Sequence, residues 1–116
     1  MFEYDDPVSW RWTAMILQPD LVTSEIVERA KGDVTAKRGL RAVREVRLEP
    51  LREGRAAQIL HMGPYAAEQP TIEKLHAFIR EQGLRPAGKH HEIYVSDPRR
   101  TAPERLRTVI REPVSA

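Results

Sequence analysis

The segment between Pro70 and Gly83 most constrains what this chain can fold into. Proline is favoured in the first turn of a helix and glycine just beyond its last turn, so these two residues bracket a helix. One apolar stripe recurs between them at helical spacing, formed by Ile72, Leu75, Phe78 and Ile79. An amphipathic helix of this kind has to bury its stripe against another element, and strand-like segments flank it on both sides.

Three runs of residues supply those strands. Arg55–Met62 precedes the helix and ends at Gly63-Pro64, a turn signal. His90–Ser96 and Leu106–Ile110 follow the helix and are separated by a turn at Asp97-Pro98. The resulting order of strand, helix, strand, strand predicts an α+β fold with helices on one face of an antiparallel sheet.

The first part of the chain predicts two further strands and a helix. Ser9–Gln18 begins with alternating aromatic and polar residues, which favours a strand. Thr23 is suited to cap a helix, and Gly39 is a natural stop for it. Val43–Leu51 is strand-like, and the glycine-containing connection after it predicts a hairpin with the strand that begins at Arg55.

The composition predicts a soluble, single-domain, cytoplasmic protein. Its 116 residues are 41% hydrophobic and 31% charged, and the acidic N-terminus lacks the basic start of a signal peptide. The longest apolar run, Ala14–Leu17, is too short to cross a bilayer. Basic residues gather in Lys37–Arg55 and Arg99–Arg111, but glutamates interrupt the first run and the net charge is only +2. This pattern argues against a nucleic-acid surface.

Several kinds of site are excluded because their motifs are missing. The chain has no cysteine, so it forms neither disulfides nor thiolate zinc sites. His90 and His91 are adjacent in a predicted strand and point to opposite faces, and the other two histidines have no ligand spacing with them. The sequence contains no H-E-x-x-H, no G-x-S-x-G and no phosphate-binding glycine loop. We therefore expect no metal, no cofactor and no serine-hydrolase triad.

The strand His90–Ser96 carries the most informative side chains. Because successive side chains alternate between the two faces of a sheet, Ile93 and Val95 are predicted to pack beneath the helix. Glu92 and Tyr94 would then lie side by side on the opposite, helix-free face. There they form a solvated surface pair or line a cavity.

Trp10 and Trp12 favour the cavity. They share one face of the first predicted strand and offer a large aromatic surface, although ordinary core packing is the alternative role. A carboxylate that faces tryptophan and tyrosine rings suits a flat or cationic ligand, because each aromatic face attracts positive charge by roughly 0.5–2 kcal/mol. Glu92 would supply the counter-ion and, in an enzyme, would transfer a proton.

Five stretches of the chain together match a known family pattern. They are Trp10–Ile16, Gln58–Tyr65, Thr71–His76, His90–Arg100 and Pro103–Val114. The second and third resemble the central motif of GyrI-like small-molecule-binding domains, and the last two resemble the C-terminal signature of that family. The first is similar to the strand that precedes them.

This resemblance implies a GyrI-like/SOUL-type fold of two β-α-β-β modules with a ligand groove between them. Members bind bulky hydrophobic, often cationic, compounds. The motifs W-x-W-T and H-H-E-I-Y are most similar to those of hydrolases that open the cyclopropane ring of DNA-alkylating antibiotics such as yatakemycin. The resemblance therefore implies a xenobiotic-handling function related to antibiotic resistance, with substrates held in an aromatic cage.

The family also implies which residues form the site. Its pocket glutamate matches Glu92, which becomes the expected catalytic residue, and a recurrent tyrosine matches Tyr65. The expected ligand-binding residues are Trp10, Trp12, Tyr65, Tyr94 and His61.

The resemblance further implies one GyrI-like domain over residues 1–116 that lacks most of the N-terminal module. Residues 1–54 correspond to a remnant of the first module plus a linker helix, and residues 55–116 to a complete second module. We expect a homodimer, because a second copy would cover the exposed sheet edge and complete the groove.

Two functions stay open at this point. The first is a protein that binds aromatic or cationic small molecules, with or without hydrolysis of cyclopropane-bearing compounds. The second is a protein-interaction or effector-sensing module without catalysis, as in gyrase inhibition or the ligand domain of a transcription regulator.

Overall fold

The computed structural model describes residues 11–116, and the chain divides into two compact units, Met1–Pro50 and Leu51–Ala116. Part of the predicted strand Ser9–Gln18 therefore lies outside the described residues, and its described part, residues 11–18, contains no strand. That part of the prediction is wrong. Strands persist only when they are paired and half-buried, and the apolar end of this segment is exposed, Ile16 to 83% and Leu17 to 98%.

The described part of the first unit, residues 11–50, contains one α-helix, and the ends of this helix follow from the sequence. This helix, α1, spans Ser24–Arg38. Thr23 caps its start, with the hydroxyl accepting a hydrogen bond from Ile26 N at 3.3 Å. Gly39 ends it in the left-handed conformation, at a φ of 59°. Both predicted ends of the helix are confirmed.

The predicted strand over Val43–Leu51 does not form, and the predicted hairpin is therefore wrong. Arg41–Glu45 is a short 3-10 helix, and residues 46–50 have no regular structure. Apolar residues of this run stay accessible, Val46 at 50% and Leu51 at 62% exposure. Alternation stabilises a strand only where a sheet face buries one of the two sets of side chains, and no face does so here.

The second unit is an antiparallel sheet with one α-helix. Its elements are β1 Ala56–Met62, α2 Gln69–Glu81, β2 Arg85–Pro86, β3 His91–Tyr94 and β4 Arg107–Ser115. The long β4 lies at the centre, with β1 along one edge and β3 and then β2 along the other. The predicted α+β fold and the order of strand, helix, strand, strand are confirmed, with the two-residue β2 as an addition.

The core of the second unit lies between α2 and the sheet. The helix contributes three buried residues, Ile72, Leu75 and Ile79. The last part of the chain contributes Leu106, Ile110 and Val114. Ile110 and Val114 both lie in β4, where an even spacing places them on the same, buried face of the strand. Burying each such aliphatic side chain is worth roughly 1.5–3 kcal/mol. Phe78, the remaining member of the predicted stripe, is 51% exposed.

The faces of β3 are the reverse of those predicted. Residues directly opposite one another in an antiparallel pair share a face of the sheet. Glu92 lies opposite the buried Ile110 and Tyr94 opposite the buried Thr108, so both point to the side that α2 covers. Ile93, predicted beneath the helix, lies on the other face and is 39% exposed.

The prediction failed because it assumed that an aliphatic pair must serve the core. β4 and α2 already supply the aliphatic core, so β3 is free to place polar side chains on the helix side. Val95, the partner of Ile93 in that prediction, is 60% exposed.

Among residues 11–116, none of the helices is both long enough and apolar enough to span a membrane.

Candidate functional site

Two carboxyl groups meet on the helix-covered face of the sheet. Glu68 is the residue immediately before α2, and its side chain is buried, with 6% exposure. Its carboxyl group lies within hydrogen-bonding reach of the carboxyl group of Glu92 on β3. One Glu68 oxygen, Oε1, is buried without a hydrogen-bond partner. A buried polar atom without a partner is uncommon, and it indicates a place for a ligand group or water.

The pair holds a proton at neutral pH. Burial raises the pKa of Glu68 to about 8, and the hydrogen bond and the negative charge of Glu92 act in the same direction. Two carboxylates at hydrogen-bonding distance repel each other, so the last proton of the pair is lost only under alkaline conditions. At pH 7 the Glu68 side chain is therefore mainly a carboxylic acid that can donate a hydrogen bond.

Two tyrosines stand beside the carboxyl pair. The Tyr94 hydroxyl donates a hydrogen bond to Glu92 Oε2 at 3.0 Å. The ring of Tyr65 meets that of Tyr94 edge to face, with centroids 5.4 Å apart. Burial, followed by the charge of Glu92, raises the pKa of Tyr94 to about 12, so its hydroxyl stays protonated and remains a donor. Both rings are accessible, at 40% and 61% exposure, which leaves them free to contact a ligand.

His61 positions the loop that carries Tyr65 and Glu68. Its buried ring lies between Thr71 Oγ1, 2.8 Å from Nδ1, and the Pro64 carbonyl oxygen, 3.0 Å from Nε2. A carbonyl oxygen only accepts, so Nε2 carries a hydrogen, and in the neutral ring Nδ1 accepts from the Thr71 hydroxyl. Both nitrogens are thus engaged. The predicted contact of His61 with a ligand would require one of these bonds to be exchanged.

Thr108 adds a second buried polar atom without a partner. It lies on β4 opposite both Tyr94 and His61, on the same face of the sheet. Its side chain is fully buried, and Oγ1 has no hydrogen-bond partner. The region around Tyr94 therefore contains unused hydrogen-bonding capacity beneath accessible rings.

Sequence reasoning missed Glu68, although a signal for it was present. It precedes Gln69-Pro70, where the start of α2 was predicted, and a carboxyl at that point lies near the positive end of the helix. His90 was not among the predicted site residues, yet it lies close enough to Glu92 for their charges to interact. Burial nevertheless lowers the pKa of His90, which favours the neutral imidazole.

The predicted tryptophan pair precedes the second unit in the chain. Trp10 lies outside the described residues, and Trp12 belongs to the first unit, where its side chain is 78% exposed. The two carboxyl groups and the two tyrosines of the cluster all belong to the second unit. Among residues 11–116, no three histidine, aspartate or glutamate side chains converge as a metal site requires.

Comparison with known proteins places the chain in a family. Residues 19–115 match the GyrI-like small molecule binding domain. No curated protein matches the chain. The chain belongs to the GyrI-like family, and it contains a domain of the small-molecule-binding kind, as its motifs indicated.

Solved structures from Listeria innocua share the fold. One, described as a hydrolase, is 39% identical with a TM-score of 0.74, over 84% of this chain and 52% of that chain. Another, described as an uncharacterized conserved protein, is 41% identical with a TM-score of 0.77, over 84% of this chain and 50% of that chain. The present chain thus spans about half the length of these relatives.

Proposed function

We propose that this GyrI-like chain binds a flat, cationic aromatic molecule at a carboxyl–tyrosine cluster formed by Glu68, Glu92, Tyr65 and Tyr94. The observation that carries the proposal is the contact between a buried and a partly accessible carboxyl group beneath two accessible rings. A cation placed here would interact with a carboxylate and with aromatic faces at the same time. Such contacts contribute about 0.5–2 kcal/mol for each ring.

Binding of a cation should also displace the proton of Glu68. A positive charge beside the pair favours the ionised form of both carboxyl groups, which lowers the raised pKa of Glu68. At pH 7 each binding event should therefore release up to about one proton to the solvent. A neutral aromatic ligand would leave the proton in place, so proton release distinguishes recognition of charge from recognition of shape.

The test is a calorimetric titration at pH 7 with ethidium, a flat aromatic cation, in two buffers of different ionisation enthalpy. A neutral polycyclic aromatic of similar size is the comparison ligand. Glu92→Gln and Glu68→Gln should each weaken ethidium binding by about tenfold or more, because each removes a charge-assisted contact. Glu81→Gln changes an exposed glutamate at the end of α2 and is the matched control.

Three results would contradict this proposal. The first is equal affinity for the cation and the neutral aromatic. The second is binding without proton release in the unsubstituted chain, and the third is a Glu92→Gln variant that binds ethidium as tightly as Glu81→Gln does.

Hydrolysis is the second candidate function, and the pairing of a protonated and an accepting carboxyl group favours it. Glu92 would accept a proton from water as the water oxygen bonds to a cyclopropane carbon. The cleaved carbon–carbon pair would move into the conjugated carbonyl, whose oxygen takes the proton of Glu68. Two of the Listeria relatives are described as hydrolases, which supports this chemistry.

Mass spectrometry tests hydrolysis directly. The chain is incubated with a cyclopropane-bearing indole antibiotic, and the expected product gains the mass of one water molecule. Glu92→Gln should abolish the gain while Glu81→Gln retains it. If the unsubstituted chain binds the compound but produces no hydrated product, the chain is a binding protein and not this hydrolase.

A further inference from the structure

A depression lies at the end of β3, in the loop that leads to β4. Its volume is about 430 Å³. It is lined by Val95, Ser96, Arg100, Thr101, Arg105 and Arg107. Three of these six residues are arginines and two carry hydroxyl groups, while none is acidic. The proposed cation site uses none of them.

The three arginines have no acidic partner among residues 11–116. None of their guanidinium groups makes a hydrogen bond or an ion pair with those residues. Two nearby arginines behave differently: Arg99 pairs with Asp97 at 3.1 Å, and Arg111 pairs with Glu53 at 2.8 Å. Within the described part of the chain, Arg99 and Arg111 thus have acidic partners, whereas the three arginines around the depression have none.

The backbone of the loop is held in place by hydrogen bonds. Val95 N donates to Arg107 O at 3.1 Å, and Arg107 N donates to Ser96 Oγ at 3.1 Å. Arg105 N donates to Ala102 O at 2.9 Å, and the buried Leu106 anchors the segment to the core. A ligand would thus meet a preformed backbone, so little ordering of the loop opposes binding.

We propose that this depression binds a phosphate or sulfate group. Each guanidinium group presents N–H donors in a planar fork that matches the oxygens of a tetrahedral oxyanion. Three such forks can satisfy an anion with three or more acceptor oxygens, and the hydroxyl groups of Ser96 and Thr101 add donors. The bound anion also relieves the mutual repulsion of the three arginines.

A small ligand with one such group is favoured over a nucleic-acid strand. A strand requires a continuous positive surface, whereas Arg99 and Arg111 are each paired with an acidic residue. The depression therefore offers one local concentration of positive charge, suited to an oxyanion or to a phosphorylated or sulfated small molecule.

The experiment follows the arginine Nε–H signals by NMR at about 50 mM salt, where electrostatic contacts are less screened. Pyrophosphate, inorganic phosphate, sulfate and phenyl phosphate are the probes. We expect saturable shifts for Arg100, Arg105 and Arg107, with little change at Arg99 and Arg111. Tighter binding of phenyl phosphate than of inorganic phosphate would identify a phosphorylated organic ligand, and the reverse order would identify the free oxyanion.

Substitutions complete the test. Arg105→Gln and Arg107→Gln should each weaken pyrophosphate binding by about five- to tenfold, since each removes a charge-assisted contact on an exposed side chain. Arg80→Gln removes the same charge from α2, outside the depression, and should have little effect. Shifts that spread evenly over all arginines, equal weakening by Arg80→Gln, or no saturation with any probe would overturn the proposal. The proposal would also be overturned if a duplex oligonucleotide shifted the Nε–H signals of the three arginines and pyrophosphate did not.

Discussion

Replacement of Glu68 by glutamine tests the carboxyl pair through the stability of the fold. In the folded chain the pKa of Glu68 is about 8, against an ordinary value of 4.5. A carboxyl group whose pKa is raised by folding holds its proton more tightly in the folded state. Its contribution to stability is therefore fully present below pH 4.5 and is lost as the pH rises towards 8. We expect the free energy of unfolding to fall over this interval and then to level off.

The size of the effect follows from the same two values. The interval from 4.5 to about 8 corresponds to about 5 kcal/mol, at about 1.4 kcal/mol for each pH unit. Side-chain relaxation and entry of water reduce such effects, so we expect about 2–5 kcal/mol. Glu68→Gln keeps a donor for Glu92 and removes the titrating group. The variant should lie within about 1 kcal/mol of the unsubstituted chain at pH 5 and exceed its stability by about 2–5 kcal/mol at pH 9.

Urea unfolding followed by circular dichroism at pH 5, 7 and 9 measures this difference. Two of the other groups with shifted pKa values are Glu112, whose pKa burial raises, and His90, whose pKa burial lowers. Both are present in the two proteins, so subtracting one curve from the other removes their effects. Glu81→Gln, on the exposed side of α2, should show the pH dependence of the unsubstituted chain.

Carbon-13 NMR of the Glu68 carboxyl group provides an independent measurement of its titration. The reasoning fails if this carbon titrates near pH 4.5. It also fails if Glu68→Gln and the unsubstituted chain lose stability in parallel between pH 5 and pH 9.

Three further predictions follow from the site and its surroundings. Tyr94→Phe removes the donor to Glu92 but keeps the ring, so ethidium affinity measured by calorimetry should fall less than about threefold, whereas Tyr94→Ala should lower it by about tenfold. His61→Ala should reduce the free energy of unfolding in urea by about 2–4 kcal/mol, because the variant loses a packed ring and its two hydrogen bonds. A loss of ligand affinity with unchanged stability would instead indicate that His61 contacts the ligand directly. Light scattering should report a homodimer of the 13.3 kDa chain, since apolar side chains such as Leu17 (98% exposed) need cover, and a monomer at micromolar concentration would contradict this expectation.

Local signals predicted the helices well. Thr23 and Gly39 bracket α1, and Pro70 and Gly83 bracket α2, because capping and left-handed backbone depend on only a few neighbouring residues. The run Val43–Leu51, where the predicted strand does not form, shows the limit of such local signals. Alternation shows which side chains would share a face, but a strand also needs an edge to pair with and a face to bury, and both depend on the rest of the fold.

The same distinction explains the site. Alternation in β3 correctly placed Glu92 with Tyr94 and Ile93 on the opposite face, but it carried no information on which set faces α2. Hydrophobic matching predicted that the aliphatic set would face the helix, and the structure has the polar set there.

A strand that directs its polar residues towards the core side runs against the pattern that stabilises sheets, and such exceptions concentrate where a protein binds or reacts. Here the exception coincides with two buried oxygens that lack partners, Glu68 Oε1 and Thr108 Oγ1, and with a carboxyl group whose pKa lies near 8. Each of these features costs stability in the unliganded chain, and a ligand that supplies positive charge or hydrogen-bond donors would remove the cost. The mismatch between pattern and structure in β3 therefore supports the proposal that the carboxyl–tyrosine cluster serves a ligand. For the same reason, replacing the carboxyl groups of this cluster by neutral side chains should stabilise the fold while weakening binding.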